Sequence, residues 1–231
     1  TITNFNYTIR QETIENNTID CKDVPFYLGM QKFFSTELIN MEPGVVNGLA
    51  YMQEGCGSIL HIEVVQTKNY DQKYKFTGSI GPVMWESLEV IISYLRKNKE
   101  KLGLKESNFK NEYGIHAHAP EAAVPKEGPS AGIAVCAAVY SCLTNKTLRK
   151  DVAFTGEITL MGRILPIGGL REKTLGAKIA GIKTIILPEG NKKDIEELVE
   201  PYATVKFDTL GSNYFPYKYH FKNIIAWCKK L

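Results

Sequence analysis

Two residues have the types and setting for joint chemistry, Ser130 and Lys173. Ser130 sits in Gly128-Pro129-Ser130-Ala131-Gly132, a match to G-x-S-x-G, the turn that exposes a nucleophilic serine in α/β-hydrolases. The match alone is weak, because serine is also a favoured helix N-cap. The hydrolase reading also lacks its partners. They should follow in the order Ser, acid, His, and only His220 lies beyond Ser130, in a Tyr-rich stretch. A polar loop with Pro125 and Pro129 precedes the serine, where an apolar strand should lead into it.

A different base is available. At about 100° per residue, Leu170, Thr174, Ala177 and Ala180 form one small or apolar stripe, and Lys173 falls inside it. Arg171 and Lys178 lie on another side. The pattern directs Lys173 inward, although a lysine at a helix edge can also snorkel to the surface. Burial lowers a lysine pKa, and a neutral amine near pH 7 can act as general base. A Ser–Lys pair then needs no histidine. The helix after Ser130 is apolar on every side, as a buried helix is. Its start, at Ser130 and Ala131, offers backbone N–H groups and the positive dipole end to an oxyanion.

The elements that must hold these residues are legible in part. VVNGLAYMQ (45–53) and SILHIEVVQ (58–66) read as strands joined by a turn at Glu54–Gly57, and KYKFTGSIG continues the β pattern to Gly81. Pro82 opens a helix with Met84, Leu88, Ile91 and Leu95 at helical spacing, ending at Gly103. A short strand at 114–119 and a loop over 120–128 lead to Ser130. VAFTGEITL (152–160) reads as one buried strand, turned at Met161-Gly162 into RILPI. Gly168-Gly169 leads to the helix from Leu170 to Ala180, and KTIILP is again a strand. Asn191 is placed as the cap of a helix with Asp194–Glu197 in its early turns. TVKF reads as a strand and HFKNIIAWCKK as the last helix. Antiparallel strands followed by alternating β and α units predict an α+β fold, mixed sheets with packed helices.

Composition narrows the class. The 231 residues are 44% hydrophobic and 23% charged, with a net charge of +3. That supports a real core and argues against wholesale disorder. Five cysteines without C-x-x-C suit a reducing compartment. The Asn-x-Thr triplets at Asn6, Asn16 and Asn145 are expected by chance in an Asn-rich chain. No apolar run reaches the roughly 20 residues that span a bilayer, so no membrane partner is expected. The chain opens on Thr1, not Met, which suggests a fragment or a processed protein.

PKEGPSAGIAVCAAVYSCL followed by DVAFTGEITLMGRILPIGGLREKTLGAKIAGIKTIILP closely resembles the proteolytic domain of the Lon family, ATP-dependent Ser–Lys proteases. EPGVVNGLAYMQEG, FTGSIGPVMWES and IHAHAPEAAVPKEGPSAG resemble it too. The likeness runs nearly unbroken over about residues 40–207. It implies the Lon protease fold, shared with ribosomal and kinase domains, over 43–231. It further implies Ser130 as nucleophile, Lys173 as general base and Thr155 as a hydrogen-bond partner of that lysine. Glu127 stands where the family has an acidic residue in a loop that must move. His116 and His118 occupy its H-x-H strand, with His118 in a supporting role beneath the loop. Residues 1–42 would be the junction after an ATPase module, which would carry ATP and Mg2+. No G-x-x-x-x-G-K-[ST] occurs here, so no cofactor is expected in this chain. Unfolded proteins as substrates and a homo-hexamer are implied as well. The compartment implied is the mitochondrial matrix for a eukaryotic chain and the cytoplasm for a bacterial one. The departures are Pro120-Glu121-Ala122 in place of Pro-Glu-Gly, Cys56 in place of one of two paired glycines, and a local segment at 67–74.

Other readings stay open. His116 and His118 share a strand face and could begin a zinc site, but no third ligand stands nearby. The Lon family includes DNA binders, yet no basic stripe with interleaved aromatics marks a nucleic-acid surface here. Trp85 and Trp227 read as packing residues, and Lys192-Lys193 and Lys229-Lys230 as solvated faces. The rival functions are a non-catalytic binding module on the same fold and a Ser-His-Asp esterase.

Overall fold

The computed structural model describes residue 27 and residues 41–52, 55–68, 73–110, 112–120, 126–198 and 205–210. The chain divides into two units, Thr1–Ser35 and Thr36–Leu231, and every element below belongs to the second. The expected junction over 1–42, the last helix, His220 and Trp227 lie outside the described residues or almost wholly so.

A seven-stranded sheet runs in the order β3-β4-β2-β1-β5-β8-β9. Its strands are β1 (Val45–Tyr51), β2 (Gly57–Lys68), β3 (Tyr74–Thr77), β4 (Tyr113–His118), β5 (Val152–Phe154), β8 (Thr184–Pro188) and β9 (Lys206–Leu210). β1 and β2 form the expected antiparallel hairpin, and β2 pairs antiparallel with β4. The other four pairings are parallel. A separate hairpin joins β6 (Glu157–Ile158) and β7 (Ile164–Leu165). The fold is the expected α+β arrangement, a mixed sheet with helices packed on both faces.

Alternation along the hairpin decides which helix covers which face. Val46, Leu60, Ile62 and Val64 point to one side and bury against α1 (Pro82–Lys97) and α3 (Gly132–Thr144). Leu49 and Ile59 point to the other and meet Leu170 and Ala177 of α4 (Leu170–Ile179). Trp85 is half-buried against the first core. In α3 every residue from Gly132 to Ser141 is buried. Each Ile or Val there contributes about 1.5–3 kcal/mol. Asn145, in the left-handed region at φ 52°, ends α3 by turning its amide back to Ser141 and Cys142.

The structure departs from the expected elements in three places. The helix from Pro82 pauses at Asn98, and a short α2 (Lys99–Leu102) completes it before Gly103 at φ 68°. The expected strand 152–160 is split into β5 and β6, because the Thr155 amide still bonds Ile186 of β8 but the chain leaves the sheet at Gly156, whose amide bonds the Ser130 carbonyl. Asn191 does not cap α5 (Lys192–Glu197) with its side chain. Instead it grips the backbone of Ile167, accepting from its amide at 3.0 Å and donating to its carbonyl at 2.8 Å.

Candidate active site

The site forms where the start of α3 meets α4 and the open end of β1. Pro129–Ala131 make one tight turn that runs into α3. Ser130 stands on that turn, half-buried, its carbonyl fixed from behind. Gly156 donates its amide to the Ser130 carbonyl at 2.7 Å, and Thr155 Oγ1 donates to the same oxygen at 3.2 Å. Ile133 returns its amide to the Gly156 carbonyl at 2.9 Å. The break between β5 and β6 is thus the price of clamping the serine turn.

Lys173 reaches the same point from α4. It is 3% exposed, on a buried side with Leu170, Thr174, Gly176 and Ala177. Its Nζ donates to Ser130 Oγ at 3.0 Å. Burial alone pushes its pKa down from 10.5 to about 8. A buried cation without a counter-charge is costly, so the neutral amine gains population. The start of α4 is held in turn by Gly169, in the left-handed region at φ 67° and packed on the Tyr51 ring. Asn191 pins Ile167, two residues earlier.

Thr155 is expected to hydrogen-bond Lys173. In the structure its hydroxyl goes to the Ser130 carbonyl instead and its amide to Ile186. It braces the Ser130 backbone, because the chain at 155–156 crosses behind the serine turn. His116 and His118 flank the Thr77 hydroxyl, with His116 Nε2 at 2.9 Å and His118 Nδ1 at 2.8 Å. His118 therefore bonds Thr77 and neither Ser130 nor Lys173. Burial, helped by Lys75 and His118, lowers the His116 pKa. Among the described residues no group of three His, Cys, Asp or Glu could hold a metal. No described helix is long and apolar enough to cross a membrane. Glu127 is exposed and bonds the amide of Val83 at the start of α1.

Beside Ser130 opens a cavity of about 210 Å³. Leu49, Met52, Ile59, Leu60 and Met84 give it apolar walls, with Lys126 and Glu127 as its charged lining residues. Sequence reasoning did not find this cavity. Its signals were the last residues of β1, read only as strand, and Met84 on α1, read only as a residue at helical spacing. The amides of Ser130 and Ala131 lie in the first turn of the helical run 129–144. The arrangement has a hydroxyl, a buried amine, helix-start amides and an apolar cavity, the parts required for acyl transfer.

Residues 18–207 match the family described as Lon protease (S16) C-terminal proteolytic domain. The Lon protease of Erwinia amylovora is 46% identical over 188 residues, 81% of this chain and 23% of that protein. The Lon protease of Escherichia coli K12 is 48% identical over 173 residues, 74% of this chain and 22% of that protein. Lon protease 1 of Bacillus subtilis is 46% identical over 184 residues, 79% and 23% respectively. The chain spans a little under a quarter of the length of these curated relatives.

Proposed function

This chain belongs to the Lon protease family, and we propose that Ser130 and Lys173 are the catalytic dyad of a serine endopeptidase. One observation carries the reading: Lys173 Nζ stands 3.0 Å from Ser130 Oγ while the lysine is 3% exposed. With a pKa of about 8, about a tenth of Lys173 is neutral at pH 7.

The neutral amine takes the Ser130 proton as Oγ attacks the peptide carbonyl. The oxyanion is met by backbone amides at the start of the helical run, Ser130 and Ala131 being the candidates. The Lys173 ammonium then gives its proton to the leaving amine, and the acyl-enzyme remains on Ser130. Lys173, neutral again, takes a proton from water, whose oxygen attacks the ester, and the ammonium gives that proton to Ser130 Oγ as it leaves the acyl carbon. Thr155 and Gly156 keep the Ser130 backbone in place throughout. The apolar cavity is suited to a medium-sized apolar substrate side chain next to the scissile bond.

The family relationship supports the wider reading. The substrates would be unfolded or damaged proteins delivered by an ATPase module that uses ATP and Mg2+, in a homo-hexamer serving protein quality control. The relatives named above are bacterial, which favours the cytoplasm; a eukaryotic chain would work in the mitochondrial matrix. The test is a fluorophosphonate or peptide-boronate probe. Wild type should be labelled at Ser130, and Ser130→Ala and Lys173→Ala should not. Equal labelling of wild type and Ser130→Ala would favour the binding-module reading. Loss of labelling in His220→Ala but not in Lys173→Ala would favour the esterase.

A further inference from the structure

Helix α1 begins without a cap of its own. Gly81 stands at its N-cap, Pro82 opens it, and its first turn holds no acidic residue. The leading amides and positive dipole end of this 16-residue helix call for a partner from elsewhere. That partner is Glu127, from the segment that leads to Ser130. Glu127 Oε1 accepts from the Val83 amide at 3.3 Å. Its carboxylate fills the space over Gly81 that a Cβ would take.

Backbone contacts fix the same segment independently. The Gly81 amide donates to the Lys126 carbonyl at 2.8 Å, and the Lys126 amide donates to the Ser79 carbonyl at 3.0 Å. Ile80 and Lys126 form a parallel bridge. From Glu127 the chain swings through Gly128 at φ 101° and reaches Ser130 two residues later. Met84, in the first turn of α1, and Glu127, Gly128 and Ser130 all line the cavity. The lowered pKa of Lys173 owes nothing to Glu127, since burial is its only cause.

We propose that Glu127 is a positioning residue: its carboxylate caps helix α1 from across the fold and so keeps the Ser130 turn and the Met84 wall in register. This rests on the Ser130–Lys173 dyad being the peptidase site. A carboxylate suits the role because the contact joins a charge to a helix dipole as well as an acceptor to an amide. Gly81 suits it because any side chain there would evict the carboxylate.

The experiment measures fluorophosphonate inactivation rates, melting temperature and amide hydrogen exchange for wild type, Glu127→Ala, Glu127→Gln, Gly81→Ala and the Gly81→Ala/Glu127→Ala double variant. Glu127→Ala should slow inactivation about tenfold, less than the roughly hundredfold loss that a 1 Å misplacement of a reacting group can cause. Glu127→Gln, which keeps an acceptor, should recover part of that loss. Gly81→Ala should match Glu127→Ala, and the double variant should be no slower than the slower single. Exchange of the Val83 amide should quicken in Glu127→Ala while the melting temperature stays close to wild type. Wild-type rates in Glu127→Ala, or multiplicative losses in the double variant, would overturn the proposal. If wild type itself is not labelled at Ser130, the dyad reading fails. The cap is then decided by exchange alone, and an unchanged Val83 amide overturns it.

Discussion

The amide of Gly156 donates to the carbonyl of Ser130 at 2.7 Å, so the chain leaving β5 is tied to the serine's own backbone. The Gly156 carbonyl in turn accepts from Ile133 in α3. Gly156, with the Thr155 hydroxyl beside it, therefore acts as a clamp behind the serine turn, although both residues read from sequence as part of one strand. The clamp needs glycine. Residue 156 has φ 151°, and a Cβ there would run into the Ile133 side chain.

Replacing Gly156 with alanine should strain the backbone and push Ile133 aside, at about 1–3 kcal/mol. Peptidase activity should fall more than stability predicts, because Ser130 shifts with the clamp. Melting temperature and kcat on a fluorogenic peptide check this together. Activity that falls only in step with the unfolded fraction would count against the clamp.

The pH dependence of turnover follows from Lys173. Burial brings its pKa to about 8, and only the neutral amine can accept the serine proton. Below that value kcat/KM should climb about tenfold per pH unit, then level above it. Lys173→Ala should lie far below wild type throughout and lose this rise. A wild-type profile flat from about pH 6 to 9 would sink the neutral-lysine base.

Stability should respond to the same group with a defined sign. Folded Lys173 binds its proton less tightly than an unfolded lysine, whose ordinary value is 10.5. Below about pH 8 both states are protonated, and the fold carries the full cost of a buried cation. Between about 8 and 10.5 the folded chain is neutral while the unfolded chain still holds the proton, so stability rises with pH. The span corresponds to about 3 kcal/mol. Lys173→Met should therefore be more stable than wild type at pH 7 and should lose the rise. Denaturant midpoints at about pH 7 and 10 read both effects. A Met variant weaker than wild type at pH 7 would mean the ammonium is well solvated in the fold.

Asn191 holds the backbone just ahead of α4, the helix of Lys173. It is 1% exposed and holds both polar groups of the Ile167 backbone, while donating to Asp194 at 2.6 Å. Asn191→Ala should cost about 1–3 kcal/mol by stranding those groups. It should also raise exchange of the Ile167 amide and loosen the entry to α4. Asn191→Asp, which keeps the acceptor for Ile167 but not the donor, should fall between. Equal stability of Ala and wild type would be the contrary result.

How much of this was legible depended on whether the signal was local. The β1–β2 hairpin, α1 from Pro82 and the all-apolar α3 follow from period and punctuation, which one segment carries by itself. The depth of Lys173 followed from its neighbours on one helical stripe. The rest depends on crossings between distant segments. Nothing within VAFTGEITL says that Thr155 and Gly156 turn away toward Ser130. Asn191 stands where an N-cap belongs, and only the nearby Ile167 backbone diverts its side chain. Glu127 and Gly81 are 46 residues apart, and no periodicity relates them. The cavity beside Ser130 needs β1, α1 and the serine turn placed together before it exists.

Gly57 lets α4, the helix that carries Lys173, lie close against the sheet. It opens β2 where that strand crosses α4, and a Cβ on it would overlap the Glu172 carbonyl and crowd the Lys173 amide. Gly176, one turn further along, lies against the Gly57 carbonyl in the same way. Backbone therefore meets backbone, and α4 lies deep enough for the Lys173 side chain to reach Ser130. Gly57→Ala must lift this turn of α4 off the sheet. A shift of about 1 Å in a reacting group can cost about a hundredfold in rate, and a loss of that order in kcat is expected here. Gly168→Ala is the control, since residue 168 is near the start of α4 and a Cβ there meets nothing within 4 Å. It should stay within about twofold of wild type, as open surface positions do. Steady-state kinetics on the two variants separate the cases. Should Gly57→Ala turn over as fast as Gly168→Ala, the depth of α4 is not what aligns Lys173 with Ser130.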